Sequence, residues 1–512
     1  MRRYLLGTRC CASEADQQVG PTNDTDAESA RLSCGIGIYW LAEKQESAVK
    51  FVRIFVVVAV FALVTGATGQ TVTVLYSFSG PPTDGYGPEA TLIQGTDGSF
   101  YGTAIGFPFF ITSTVFRVSS SGSLTNLYFF KGTADGGEPG GGLVQGRDGN
   151  FYGTTMEGGN TNLHNGIGFG TIFRISPSGV LTTLYCFAGP PDGNRPVGGL
   201  VQGADGNLYG TCDEGGSTNC ANGCGTVFRI SPGGSYTSLH SFLGYPNDGQ
   251  TPVGLEQGND GNFYGTTSDT FYRIGAGGSY TNLYSFDDGY QVPVPNPLVQ
   301  GADGYFYGTT QQGGYGYGMA FRISSSGAYK TLYLFGSVGN DGHFPQNRLV
   351  LGSDGNFYGT TVLGGIRGSG TVFRISSSGT YTNLYSFGNY AADGAEPGAG
   401  LVQGSDGNFY GTTSLGGTYG SGTVFRISIP LNPPANQISS TLLDSSGTNA
   451  VFTIPSVAGE TYQLQFATDL VAGDWSDVVG VCMSNSIGAA LTVTNFGGAS
   501  GPQGFYRFAI TP

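Results

Sequence analysis

Charge is scarce in this sequence and histidine is nearly missing. Of 512 residues only 11% are charged, three are His, four are Met and two are Trp, whereas an ordinary globular chain is about 25% charged. A basic surplus is also lacking: 21 Lys and Arg face 35 Asp and Glu, for a net charge of −14. Nucleic acid and anionic membranes both select basic patches, so neither is an expected partner. So little histidine argues against sites built on His clusters. The sequence contains no nucleophile elbow, no metal-binding His pair and no phosphate loop. Carboxylate-only chemistry, as in glycoside hydrolysis, is compatible with the residue types, but no acid pair stands out. Long apolar runs are absent too. The one candidate, Ile54 to Val64, is too short to span a bilayer.

Glycine is abundant instead. With 91 Gly the chain is no helical bundle, since Gly is costly in helices. With 30 Tyr, 34 Phe and 39% hydrophobic residues it can still bury a core and is not read as disordered.

The N-terminal part reads as an address. Lys50 and Arg53 flank the apolar run, and Thr65-Gly66-Ala67-Thr68-Gly69 follows it. Positive flank, apolar core and small-residue cleavage site are the order of a signal peptide, here residues 49–69. Residues 1–48, with Cys10, Cys11 and Cys34, are expected to be a mis-assigned start or a poorly ordered extension.

The body repeats itself. The string Asp-Gly-x-Phe/Leu-Tyr-Gly-Thr begins at Asp97, Asp148, Asp205, Asp260, Asp303, Asp354 and Asp406. In each unit a Leu-Val-Gln-like strand meets an Asp-Gly hairpin turn, then an aromatic strand. A Gly-rich loop leads to a strand such as Thr423-Val424-Phe425-Arg426-Ile427. A Ser-x-Gly turn precedes a fourth strand such as Tyr381 to Phe387. Fourth strands end at Phe78, Phe130, Phe187, Phe242, Phe286, Phe335 and Phe387. The first of them precedes the first unit, and the last unit lacks one. The offset predicts a seven-bladed β-propeller over 71–428, closed by pairing of 71–78 with 423–428.

These repeats, best seen in Leu401-Val402-Gln403-Gly404-Ser405-Asp406-Gly407-Asn408-Phe409-Tyr410-Gly411-Thr412-Thr413, resemble the GloVer (Gloeobacter/Verrucomicrobia-type) tandem repeat of bacterial secreted proteins. The resemblance implies export and surface display and carries no established activity. The hairpin also resembles, more weakly, units of propeller lyases and sensor propellers. After a Pro-rich joint at 429–437, residues 438–512 alternate as short strands and predict an all-β, sandwich-like module. Its stretch from Tyr462 to Trp475 and its ending Phe505-Tyr506-Arg507 resemble a C-terminal module of secreted verrucomicrobial-type proteins, which implies sorting or attachment.

Alternating strands put the two constant turns on one face. The variable loops, second-to-third and blade-to-blade, lie on the other. Variable loops on a repeated scaffold are where binding usually resides, although drift alone also varies loops. Three repeated or crowded polar sets follow. Third-strand arginines are expected to bond the hairpin aspartates within a blade, as Asp148–Arg174, Asp205–Arg229, Asp354–Arg374 and Asp406–Arg426. Blade-to-blade aspartates (Asp84, Asp135, Asp192, Asp248, Asp288, Asp341, Asp393) are expected to form Asx-turns, with a Ca²⁺-attracting ring as the sharper alternative. Loop aromatics, among them Phe107, Phe109 and Phe110, Tyr315 and Tyr317, are expected to pack under the Gly-rich turns, with stacking on the apolar faces of sugars as the sharper alternative.

Among cysteines, Cys212, Cys220 and Cys224 flank one loop. Export favours a disulfide there; Cys212–Cys224 fits the hairpin best and Cys212–Cys220 stays open. Cys186 and Cys482 are expected in the core. His240 replaces the usual fourth-strand Tyr and is expected to pack, whereas His164 and His343 are expected in solvent. No cofactor is expected.

The resulting reading is an exported, non-catalytic propeller that binds extracellular polysaccharide or a surface protein. Its binding residues are expected to be Tyr86, Phe109, Glu157, Asp192, Tyr290, Tyr317 and Tyr419. The alternatives are a carbohydrate-active or lyase-type propeller enzyme using acids such as Asp192, Glu214 and Asp341, and a structural spacer. An enzyme should gather unlike, non-repeating polar residues in one sector of the central channel.

Overall fold

The computed structural model describes residues 70–106, 113–286, 295–390 and 392–429, and six strands between 440 and 511. The extension, the signal sequence, Phe107, Phe109, Phe110, Asp288, Tyr290 and residues 430–437 lie outside the described residues. Among the described residues, no helix is long and apolar enough to cross a membrane.

Residues 71–428 form seven four-stranded antiparallel sheets arranged as a propeller. Blade 2 is representative, with Val144–Gln145 innermost, then Phe151–Thr155, Thr171–Ile175 and, outermost, Leu181–Cys186. In the last blade the outermost strand is Thr71–Ser77. It pairs with Thr423–Ser428 from Thr71↔Ser428 to Ser77↔Thr423, so the ring closes as its strand count requires.

The repeated string explains the packing. Every residue of Phe151–Thr155 is buried, because neighbouring blades cover both faces of the sheet. The two aromatics of the string point to opposite neighbours. Tyr101 stacks on Phe151 at 4.0 Å, Tyr209 on Phe263 at 4.0 Å, Tyr307 on Phe357 at 3.9 Å, and Tyr410 on Phe100 at 3.9 Å across the closure. Only where Leu208 replaces Phe does Tyr152 face an aliphatic residue. Glycine follows Tyr for want of room: a Cβ on Gly153 would lie 2.6 Å from Phe173 Cζ and 2.9 Å from Leu143 Cδ2. The Ser-x-Gly turns need glycine for a second reason. Gly122 has φ +92°, and its Cβ would meet Leu75 O of the preceding blade at 2.3 Å.

A latch the sequence reading did not interpret is the Gln of Leu-Val-Gln. Gln145 Oε1 accepts from Thr96 N of the preceding blade at 3.0 Å, while its Nε2 donates to Gly149 O of its own hairpin at 3.2 Å. Gln202, Gln257, Gln300, Gln403 and Gln94 repeat the bond to the preceding blade, the last across the closure. Leu351 occupies the equivalent position in blade 6.

The C-terminal strands form two three-stranded antiparallel sheets. One orders Ser440–Leu443, Ala450–Ile454 and Leu491–Asn495; the other orders Ser476–Ser484, Thr461–Ala467 and Phe505–Thr511. The four strands read from the sequence are all present.

Candidate functional site

The hairpin face is committed to scaffold bonds. Asp148 accepts from Asn150 N at 3.2 Å, Asn150 Nδ2 at 2.7 Å and Tyr152 Oη at 2.8 Å. Asp205, Asp354 and Asp406 do the same with Asn207 and Tyr209, Asn356 and Tyr358, and Asn408 and Tyr410. Burial raises the Asp205 pKa, but these donors and nearby Arg229 outweigh it and leave the carboxyl below its usual value. The expected Asp–Arg bonds are therefore corrected. Arg174, Arg229, Arg374 and Arg426 face the Tyr of the string across the ladder and make no ion pair with Asp148, Asp205, Asp354 or Asp406. The carboxylates are already occupied. In blade 5 Tyr305 replaces the Asn, and there Arg322 does approach, 3.9 Å from Asp303 Oδ2.

The blade-to-blade aspartates also differ from expectation. Each described one takes a backbone donor from four or five residues upstream, and Asp341 and Asp393 take a second from the next residue, Gly342 N and Gly394 N, not from two residues on as in an Asx-turn. Asp84 accepts from Tyr76 Oη at 2.6 Å and Ser79 N at 2.9 Å. Asp192 accepts from Tyr185 Oη at 2.9 Å and Ala188 N at 3.0 Å. Asp341 and Asp393 bind Tyr333 and Tyr385 in the same way. In blade 3 His240 stands for Tyr, with Nε2 2.9 Å from Asp248 Oδ2 and its ring stacked on Tyr280 at 4.1 Å. Among the described residues no three His, Cys, Asp or Glu side chains are grouped to hold a metal.

The cysteine expectation is corrected as well. Cys220 and Cys224 form the disulfide, with Cα atoms 5.2 Å apart, and Cys212 is a buried thiol. Cys212 packs with Tyr152, Ile172 and Phe187 of blade 2, whereas Cys224 packs with Leu255 and Phe263 of blade 4. The two pack between different pairs of blades, and Cys224 is taken by Cys220. Cys186 is exposed rather than in the core, because it ends an outermost strand.

On the opposite face the loops are zipped into short ladders. Gly193–Asn194 pairs with Glu214–Gly215, Gly342–His343 with Leu363–Gly364, and Gly394–Ala395 with Leu415–Gly416. The chain then turns inward through a residue at positive φ: Glu138 at 49°, Arg195 at 54°, Thr251 at 50°, Phe344 at 58° and Glu396 at 55°. Such a conformation costs about 1 kcal/mol per non-Gly residue. Its recurrence in five joints shows that the ladders and the following proline impose it. Side-chain identity at this position is thereby free to vary.

Beneath these turns lies the central channel, a cavity of about 480 Å³ lined by the segments that enter the innermost strands. Its sectors differ. Glu396, Glu89, Glu138 and Glu157 follow one another around one side. Burial raises the pKa of Glu89 and Glu138, and the neighbouring carboxylates raise them further. Asp213 beside them is pushed up to about 7 by burial, with Arg195 Nε at 4.0 Å opposing the shift. A carboxyl titrating near neutrality can carry a proton either way. The other sector holds Asn296, Gln311, Gln346 and Arg348. Arg348 donates to Glu256 Oε2 at 2.7 Å.

Of the residues expected to bind, Tyr86 is held in a loop bridge to Ile105 and Glu157 in one to Gly137. Tyr317 stacks on His343 at 4.1 Å, so that histidine is not simply solvated. His164 likewise stacks on Phe169 at 4.9 Å. Tyr419 is 65% exposed and Tyr315 64%. The acids named for an enzyme are tied down: Glu214 accepts from Asn194 and Asn222. Glu89, Glu138, Glu396, Asp213, Glu256 and Arg348 were missed. Aligning the repeats would have exposed the last two, since Glu256 stands where the other blades have Val or Ile.

The chain belongs to the Gloeobacter/Verrucomicrobia repeat family, whose model matches residues 59–221, 110–274 and 268–459. No curated protein matches the sequence. Solved structures similar to it include a gluconolactonase from Xanthomonas campestris, at 13% identity and TM-score 0.38, covering 70% of this chain and 90% of that one. Another is a GH74 xyloglucanase from Xanthomonas campestris, at 12% identity and TM-score 0.45, covering 75% of this chain and 59% of that one. A third is the extracellular domain of a candidate hybrid two-component system from B. thetaiotaomicron, at 10% identity and TM-score 0.47, covering 86% and 57%. Such distant likenesses speak to the fold alone. They correct one expectation all the same. Enzymes stand among the similar propellers, so the exclusion of catalysis drawn from residue types does not hold.

Proposed function

We propose that this protein is exported and binds an extracellular polysaccharide through its loop face. The observation that supports this most is the division of labour between the two faces. On the hairpin face the repeated Asp, Asn and Tyr side chains bond one another, and the repeated Gln bonds backbone of its own hairpin and of the preceding blade. On the loop face the seven units differ, and Tyr315, Tyr317 and Tyr419 stand exposed. Aromatic rings stack on the apolar faces of sugars, and amides and carboxylates meet their hydroxyls. Export agrees with the leader-like order of residues 49–69 and with the Cys220–Cys224 disulfide.

The test is retention of the purified protein on a panel of immobilised polysaccharides, with reducing-sugar release followed in the same tubes. Retention that falls at least tenfold in a Tyr315→Ala, Tyr317→Ala, Tyr419→Ala variant supports the reading. Sugar release would add turnover to binding. Failure of every polysaccharide to retain the protein would overturn it.

A further inference from the structure

The innermost strands of six blades present an aliphatic residue at one position: Ile93, Val144, Val201, Val299, Val350 and Val402. Blade 4 presents Glu256 instead. The residue before the strand's leucine is Thr91, Pro297 or a glycine in the other blades, but Arg348 in blade 6. These two departures meet. Arg348 Nη2 lies 2.7 Å from Glu256 Oε2, across the intervening blade 5, whose Gln300 N donates to the other carboxylate oxygen at 3.4 Å. Ring closure does not need the pair, because the other blades close without one. A partly buried ion pair is also no better for stability than well-packed apolar residues. Two unlike residues that find each other inside a repeated scaffold call for a purpose other than folding.

The surroundings indicate the purpose. Arg348 lines the channel cavity, and its side chain keeps 40% exposure while that of Glu256 keeps 16%. Among the described residues the guanidinium donates to Glu256 alone, which leaves most of its five N–H donors available. Gln346, which is exposed, and Gln311 border the same cavity. At about 480 Å³ it falls within the size range of small-molecule sites, roughly 300–1,000 Å³. A donor-rich guanidinium beside the amides of Gln311 and Gln346, which both donate and accept, matches adjacent hydroxyls. An anionic ligand is disfavoured, since Glu89 borders the same cavity and Glu396 stands beside it.

We infer that Arg348, Gln311 and Gln346, with Glu256 holding the guanidinium in place, form a channel subsite for one neutral sugar residue. The inference rests on the polysaccharide-binding reading and gives it a selective end-group site. Calorimetric titration of the full chain with glucose, galactose, mannose and cellobiose tests it, with glucuronate and galacturonate as charged counterparts. At least one neutral sugar should saturate, and its uronate should bind at least tenfold more weakly. The double variant Glu256→Val, Arg348→Gly installs residues used by the other blades. It should melt within a few degrees of the parent and lose at least tenfold in affinity. Gln346→Ala, at an exposed position, should weaken binding even if the double variant fails to fold.

Equal binding by these variants, uronates that bind as well as neutral sugars, or no saturation by any neutral sugar would each overturn the inference. In the last case, retention on polysaccharide would leave the loop-face reading standing, whereas loss of both would remove the two together.

Discussion

The loop aspartates give the sharpest test of how this ring holds together. Asp84 is 1% exposed and takes the hydroxyl of Tyr76 at 2.6 Å, the amide of Ser79 at 2.9 Å and the Ser79 hydroxyl at 2.9 Å. Tyr76 lies on Thr71–Ser77, the strand that closes the ring. Asp84→Ala would leave a partly buried amide and a partly buried phenol without their acceptor, at about 1–3 kcal/mol for each such group. The expected loss is therefore about 4 kcal/mol. Asp84→Asn keeps one acceptor oxygen and should cost about half as much. Asp135 is half-buried and receives Tyr128 Oη at 2.8 Å and Lys131 N at 3.0 Å. Since water can replace the lost partner there, Asp135→Ala should cost about 1–2 kcal/mol. Urea titration followed by tyrosine fluorescence ranks the three, and limited proteolysis should cut the Asp84→Ala protein first near residues 70–84. If Asp84→Ala lay within about 0.5 kcal/mol of the parent, or if the loss appeared only in the presence of Ca²⁺, the latch account would be wrong and a metal role would replace it.

Two further outcomes follow from the packing. Burial holds the His240 pKa below its usual value despite the partner Asp248, so the folded state takes up the proton less readily than the unfolded chain. Stability from this group is present above the unfolded pKa of about 6.5 and is lost as pH falls through the lower folded value. Urea midpoints should drop as pH falls below about 6.5, and His240→Tyr, which restores the pair used by the other blades, should remove that part of the drop. Gly153→Ala places a methyl 2.6 Å from Phe173 Cζ and should cost about 1–3 kcal/mol by overpacking, measured as a shift in the same midpoint. An unchanged midpoint would mean the blade interior is looser than described.

The fold was legible because a propeller writes its topology seven times. A single strand out of phase, Thr71 to Phe78, was enough to place the closure. Bond partners were less legible. Asp148 and Arg174 are near neighbours of opposite sign, and sequence offers no way to see that Asn150 and Tyr152 fill the carboxylate first. Spacing likewise favoured Cys212–Cys224, since a hairpin brings strand ends together, but it does not report between which blades each sulfur packs. The channel was least legible of all. Glu256 and Arg348 are far apart in the chain, and each reads alone as one more surface charge.

Departure from the repeat therefore marks function only under a condition. His240 departs from the Tyr of its position, yet it keeps that position's partner, Asp248, and its stack on the next blade. It is a substitution within the scaffold. Leu351 departs from Gln, loses the latch, and joins the packing around Leu349 and Phe357 instead. It too stays within the scaffold. Glu256 and Arg348 keep no partner that their positions have elsewhere: an aliphatic side chain has no hydrogen bond to inherit, glycine and Pro297 have none to offer, and Thr91 accepts from Gly400 N rather than meeting a carboxylate. Their bond is new to the ring, and it holds Arg348 at the cavity wall. By that criterion they are the pair whose reversal to the repeat should leave the propeller intact and alter only what it binds.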